Sequence, residues 1–151
     1  MNRSPKPKRR FGGPEEEVFV SLQRTADVLA RNVEKILRSS DVTPQQYNVL
    51  RILRGAPEGL PCSEIGKRMI TRDPDITRLL DRLENRELIS RCRETEDRRT
   101  VLTRITSEGL RLLHDLDAPV TEAHEQQLGH MGKARLRSLM GLLETAREHA
   151  G

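Results

Sequence analysis

Two six-residue segments, 88–93 (LISRCR) and 101–106 (VLTRIT), alternate apolar with polar residues. Elsewhere in the 151-residue chain the apolar residues recur every three or four positions. A chain patterned this way folds as helices around one β-hairpin, with the polar run ETEDRRT as its tip. Both segments read as half-buried strands, and Cys92, between Arg91 and Arg93, is expected to face the core.

The helical segments have legible ends. Over 15–39, Val18, Leu22, Ala26, Leu29, Val33, Ile36 and Leu37 form one apolar stripe, and Glu15, Glu16 and Glu17 favour the dipole of the first turn. A second helix opens on Thr43-Pro44-Gln45-Gln46: threonine as cap, proline at the first helical position, glutamine closing a capping box. Gly55, Pro57 and Gly59 end it. A short third helix covers about 62–70, and after a tight connection Asp73 is expected to cap a fourth that begins at Pro74. Ile76, Leu79, Leu80 and Leu83 make its buried face, which turns Arg78, Arg82 and Arg86 outward. Two helices close the chain, about 107–128 and 132–149. Pro119 is expected to kink or interrupt the first near Asp115, and Leu136, Leu139, Met140 and Leu143 share one face of the second.

Composition narrows the function. No run approaches about 18 consecutive apolar residues, so no membrane helix or membrane partner is expected. Nothing near the N-terminus resembles a signal peptide, and two cysteines are too few for a disulfide scaffold. These features read as a soluble intracellular protein. The net charge of +4 is misleading, because residues 1–10 alone carry +5 and the other 141 sum to −1. Only the middle of the body, 61–105, is positive, with 11 basic residues against 9 acidic. Arginine supplies 22 of the 27 basic residues, which suits forked contacts to phosphate and guanine. Residues 1–14 read as a flexible basic tail, either touching phosphates loosely or merely solubilising the end. With 34% hydrophobic and 2% aromatic residues the core is lean, so the apolar stripes of the outer helices call for a partner subunit.

A short helix, a tight turn, an arginine-bearing helix and a hairpin together make a winged helix-turn-helix. The expected fold is mainly α, with a two- or three-stranded β-wing and N- and C-terminal dimerisation helices. Its chemistry suits double-stranded DNA: the helix fits the major groove and an arginine-rich tip reaches the electronegative minor groove. The expected organisation is a basic tail over 1–14, a dimerisation helix over 15–42, a DNA-binding winged unit over 43–106 and dimerisation helices over 107–151. A two-fold homodimer of such units reads the two half-sites of a palindrome.

The stretch from Ile70 to Gly109 resembles the multiple antibiotic resistance regulator (MarR) family of bacterial transcription factors. The resemblance is carried by Ile76-Thr77-Arg78, Leu83-Glu84, Leu88, Arg91, Asp97-Arg98-Arg99 and Ile105-Thr106-Ser107-Glu108-Gly109. In layout it extends over about 15–149. It implies a homodimeric regulator of palindromic sites in the bacterial cytoplasm, on the nucleoid, usually a repressor. Such repressors are often released by a small phenolic or aromatic effector or by thiol oxidation. Carried over residue by residue, Thr77, Arg78 and Arg82 lie on the recognition helix. Arg99 enters the minor groove, Asp97 holds Arg99 in place, and Arg98 contacts a phosphate. Two positions depart from the family pattern. Glu87 stands where glycine usually precedes Leu88, so a left-handed helix cap is not expected there. Asp73-Pro74-Asp75 opens the recognition helix where small hydroxyl residues are common, placing carboxylates near phosphates unless they cap the helix or accept from a cytosine amino group.

Blander readings stand beside these. Arg78, Arg82 and Arg86 are alternatively a solvated face paired with Asp81 or Glu84. Cys62, at the start of the third helix where the dipole favours thiolate, is the candidate redox sensor; the competing reading is a small core residue. Family sensors usually place that cysteine in the first helix, which here has none. His114, His124, His130 and His149 show no metal-ligand spacing, and no phosphate loop, nucleophile elbow or carboxylate pair suggests an enzyme, so neither metal nor cofactor is expected. Leu22, Leu29, Val49 and Leu113 are candidates to line a small effector pocket, with the core as the alternative for each. Two rival functions remain: an architectural DNA-binding protein of low specificity, and a winged protein-interaction module that has lost DNA binding.

Overall fold

The computed structural model describes residues 12–93 and 99–151; Asp97, Arg98 and most of the expected basic tail lie outside the described residues. The elements run α1 (Pro14–Arg38), α2 (Pro44–Arg54), β1 (Leu60–Pro61), α3 (Cys62–Arg68), α4 (Ile76–Asn85), β2 (Ile89–Arg93), β3 (Val101–Ile105), α5 (Ser107–Leu128), a 3-10 turn (Gly129–Met131) and α6 (Lys133–Glu148). The fold is mainly helical, with a small winged sheet. It divides into two compact units between Asn32 and Val33, inside α1. Among the described residues no helix is long and apolar enough to cross a membrane.

In the first unit α1 opens with its three glutamates, and Val18, Phe19, Leu22 and Val28 stand exposed. In the second, local capping chemistry sets most boundaries. Thr43 Oγ1 accepts from the Gln46 N–H and Gln46 Oε1 accepts from the Thr43 N–H, both at 3.1 Å, the reciprocal box expected at the start of α2. Thr106 caps α5 by accepting from the Gly109 N–H at 3.1 Å, and its hydroxyl donates to the Glu87 carbonyl at 2.6 Å. Gly109 must be glycine for packing reasons. A Cβ there would overlap the Leu88 carbonyl oxygen and come within 2.7 Å of Ile105 Cγ1.

The core of this unit gathers Leu50 and Leu53 of α2, Ile65 of α3, Leu80 and Leu83 of α4 and Leu113 of α5, all essentially without exposure. Burying each such side chain contributes about 1.5–3 kcal/mol, which is what holds these short helices together. The sheet has the order β1-β3-β2 and is antiparallel throughout. β1 is only two residues, Leu60 opposite Thr103 and Pro61 opposite Leu102, a short proline-bearing edge that resists further pairing. Gly59, at φ 94°, makes the turn into it.

Four expectations are corrected. First, α4 begins at Ile76, with Asp75 as its cap, accepting from the Arg78 N–H at 3.1 Å. Asp73 Oδ1 instead accepts from the Asp75 N–H at 2.8 Å, a local turn that leaves Pro74 outside the helix. Second, Pro119 does not interrupt α5, which continues through it. Pro119 and Asp115 both lie on the exposed side, where solvent can meet the carbonyl that proline leaves unpaired. Third, Cys92 is exposed, not inward-facing. Ile89 and Arg91 take the inner face of β2, opposite Ile105 and Thr103, because Arg91 finds carboxylates on α4. Fourth, Glu87 does adopt the left-handed conformation, φ 60°, that glycine usually supplies. The Leu88 N–H reaches the Leu83 carbonyl at 3.1 Å and the Glu87 N–H the Glu84 carbonyl at 2.8 Å, a Schellman cap with Leu83 and Leu88 both buried. Asp41, φ 55°, ends α1 in the same way, with Val42 bonded to Leu37 at 3.1 Å.

Candidate nucleic-acid interface

Burial of Leu79, Leu80 and Leu83 dictates what α4 presents to the outside. Residues 77, 78, 81, 82 and 85 are exposed, and the helical repeat gathers them on one face. Thr77, Arg78 and Arg82 therefore share that face, as expected. Arg78 and Arg82, with Asp73, Asp75 and Leu79, border a shallow cleft. Asp73 and Asp75 are engaged as turn-former and cap, which accounts for both carboxylates locally. Arg99 is exposed two residues before β3.

The remaining arginines have other work. Arg86 donates to the carbonyls of Asp41 at 2.6 Å and Ser40 at 3.4 Å, tying the end of α4 to the turn after α1. Asp81 and Glu84, which the alternative solvated-face reading pairs with the helix arginines, are held instead by Arg91 from β2. Its Nη2 donates to Asp81 Oδ1 at 2.5 Å and to Glu84 Oε1 at 3.0 Å, while its Nε and backbone N–H reach Glu84 Oε2 at 3.2 and 3.1 Å. The hydrogen bond from the Arg91 side chain holds the Glu84 carboxyl below its ordinary range. Glu84 and Asp81 in turn push the guanidinium further above its own.

A second feature was not foreseen from sequence. A cleft of about 260 Å³ between α2 and α5 is lined by Tyr47, Arg51, Arg54, Asp117, Val120, Thr121 and His124. The Arg51 guanidinium lies 5.7 Å from the centre of the Tyr47 ring, and Arg54 Nη1 bridges both oxygens of Asp117 at 3.0 and 2.9 Å. Burial pushes the Tyr47 phenol up, opposed in part by Arg51. The sequence did carry a signal: Tyr47, Arg51 and Arg54 recur at helical spacing, as do Asp117, Thr121 and His124. Of the lining expected earlier, Val49 and Leu113 are fully buried in the core. Cys62 is half-buried at the start of α3 and packs against that core. Among the described residues no group of three or more His, Cys, Asp or Glu could hold a metal ion.

The MarR family model matches residues 42–101, the winged unit up to the start of β3. The HTH-type transcriptional regulator FarR of Neisseria gonorrhoeae is 27% identical over 127 residues, 83% of this chain and 86% of FarR. A solved MarR transcription factor from Planctomyces limnophilus is 41% identical, with 90% of this chain and 99% of that one covered and a TM-score of 0.67. CouR, a transcriptional repressor solved on a 23-mer DNA duplex, is 27% identical with a TM-score of 0.79, covering 90% of this chain and 96% of its own. CouR from Rhodococcus jostii RHA1 has also been solved with p-coumaroyl-CoA, at 26% identity, a TM-score of 0.78 and coverage of 90% and 95%. The exposed face of α4 carries the motif residues, and the chain as a whole covers 99% of a 41%-identical MarR transcription factor, so one conclusion follows: the chain belongs to the MarR family of DNA-binding transcriptional regulators.

Proposed function

We propose that the protein is a homodimeric, sequence-specific repressor of palindromic operators in the bacterial cytoplasm, associated with the nucleoid and released by a small ligand. The observation that carries this reading is the grouping of Thr77, Arg78 and Arg82 on the one exposed face of α4, with Arg99 exposed before β3. A helix of that width enters the major groove, where arginine pairs with the edge of guanine. Arg99 then reaches the minor groove, supported by Asp97, with Arg98 on a phosphate. The DNA-bound structure of CouR, whose fold this chain shares, supports the assignment. Asp73 and Asp75 have local structural roles, which supports reading them as turn-former and helix cap within a DNA-binding unit.

A second copy is the partner that covers the exposed apolar residues of the outer helices, Val18, Phe19 and Leu22 of α1 and Met140 and Leu142 of α6. The effector is a small aromatic or phenolic molecule seated between α2 and α5, where Arg51 and His124 supply polar contacts and Tyr47 an aromatic wall. CouR with its aromatic acyl ligand supports that class of effector.

The test is recovery of fragmented genomic DNA on the purified protein, followed by sequencing, with Arg99→Ala as control. Enrichment of one or a few palindromes that the variant loses supports the proposal. Broad enrichment points to an architectural protein, and no retention even at low salt overturns DNA binding altogether.

A further inference from the structure

On the outward face of α4 one residue is electrostatically out of place. Thr77, Asp81 and Glu84 line the edge of the helix nearest β2, while Arg78, Arg82 and Asn85 form the adjoining stripe. Asp81 thus sits between Thr77 and Arg82 on the surface that would meet DNA, its side chain 52% exposed. An unpaired carboxylate there would repel phosphates at close range. The structure shows how that charge is met. Arg91 crosses from β2 and binds Asp81 and Glu84 with one guanidinium, while its own side chain is only 23% exposed. A half-buried arginine anchored by three side-chain bonds and one backbone bond is held in a single geometry.

We propose that Arg91 is a positioning residue for DNA binding: by neutralising Asp81 and Glu84 it makes the recognition face of α4 acceptable to the phosphate backbone, without itself touching DNA. The proposal rests on the DNA-binding reading given above. The lowered titration range of Glu84, set first by its hydrogen bond from Arg91, agrees with it. One consequence is that the acids of α4 and the base of β2 act as a unit, so removing them together is tolerated while removing the base alone is not.

The experiment compares operator binding by the full chain, using fluorescence anisotropy on the site recovered from genomic DNA and a scrambled duplex. The variants are Arg91→Met, Arg91→Lys and the compensated Arg91→Met/Asp81→Asn/Glu84→Gln, with thermal melting run beside each. Arg91→Met should weaken binding by about tenfold or more at 0.1 M salt, as like-charge juxtaposition does. Arg91→Lys, which keeps the charge, and the compensated variant, which removes base and acids together, should both bind within about threefold of the wild type. A compensated variant as weak as Arg91→Met would show that Arg91 contacts DNA directly and would overturn the proposal, as would wild-type affinity in Arg91→Met. Should Arg91→Met fail to fold, the compensated variant decides alone: binding within about threefold supports the proposal and a loss beyond about tenfold overturns it. A wild-type protein that retains no DNA overturns the underlying reading, and this one with it. A wild type that binds while the compensated variant fails overturns only the role of Arg91.

Discussion

Replacing Glu87 by glycine should stabilise the protein, although it deletes a whole side chain from the junction between α4 and β2. Glu87 sits at φ 60° with its side chain exposed, and among the described residues only it and Asp41 are non-glycine residues at positive φ. The left-handed conformation costs a residue with a Cβ about 1–2 kcal/mol. Glycine removes that cost but gives back about 0.4–1 kcal/mol through the freer unfolded chain. A net gain of about 0.5–1 kcal/mol remains from the backbone alone. Glu87 also places a negative charge just past the C-terminus of α4, where the dipole disfavours it by about 0.3–1 kcal/mol. Glu87→Ala separates the two contributions, because it removes the charge and keeps the Cβ. At about 2–4 °C per kcal/mol for a chain of this size, Glu87→Gly should raise Tm by about 2–8 °C, and Glu87→Ala by less. Circular dichroism melts at one fixed protein concentration are the assay, since self-association would otherwise shift Tm. If glycine proves no more stable than alanine, the backbone at 87 is not strained and the argument fails.

Gly109→Ala should act in the opposite sense. The added Cβ meets the Leu88 backbone, which has no rotamer to relax, so urea denaturation should show a loss of at least about 1–3 kcal/mol or no cooperative folding. Thr106→Ala removes the cap of α5 and its bond to the Glu87 carbonyl, and should cost about 1–2 kcal/mol in the same assay, with Thr106→Ser recovering most of it. The Glu84 pair contributes stability above the ordinary glutamate value of 4.5 and loses it as pH falls through the lower folded value. The difference in Tm between wild type and Glu84→Gln should therefore shrink below about pH 4.5; a constant difference down to pH 3 would contradict the pairing. For Arg99→Ala, operator affinity should fall by about 1–3 kcal/mol; an unchanged isotherm removes Arg99 from the interface. Sedimentation equilibrium at micromolar concentration should return twice the 17.3 kDa chain mass, and a single-chain mass would refute the dimer.

The amino-acid sequence by itself determined the elements whose signals are local. The capping box at Thr43, the apolar face of α4 and the hairpin segments all depend on residues within a few positions of one another, so they can be read along the chain. The outward placement of Thr77, Arg78 and Arg82 follows from the same periodicity. What only the tertiary structure decided depends on burial and on partners that another element supplies. Alternation put Cys92 inward, yet Arg91 takes the inner face of β2, because carboxylates seven and ten residues earlier, on a different element, satisfy its charge. Glu87 tolerates a glycine conformation because the burial of Leu83 and Leu88 and two backbone bonds outweigh its strain. The α2–α5 cleft joins two helical stripes more than sixty residues apart, linked by the Arg54–Asp117 bridge. Local propensity and period are properties of a segment, whereas the pairing of charges and the tolerance of strain depend on which segments the core brings together.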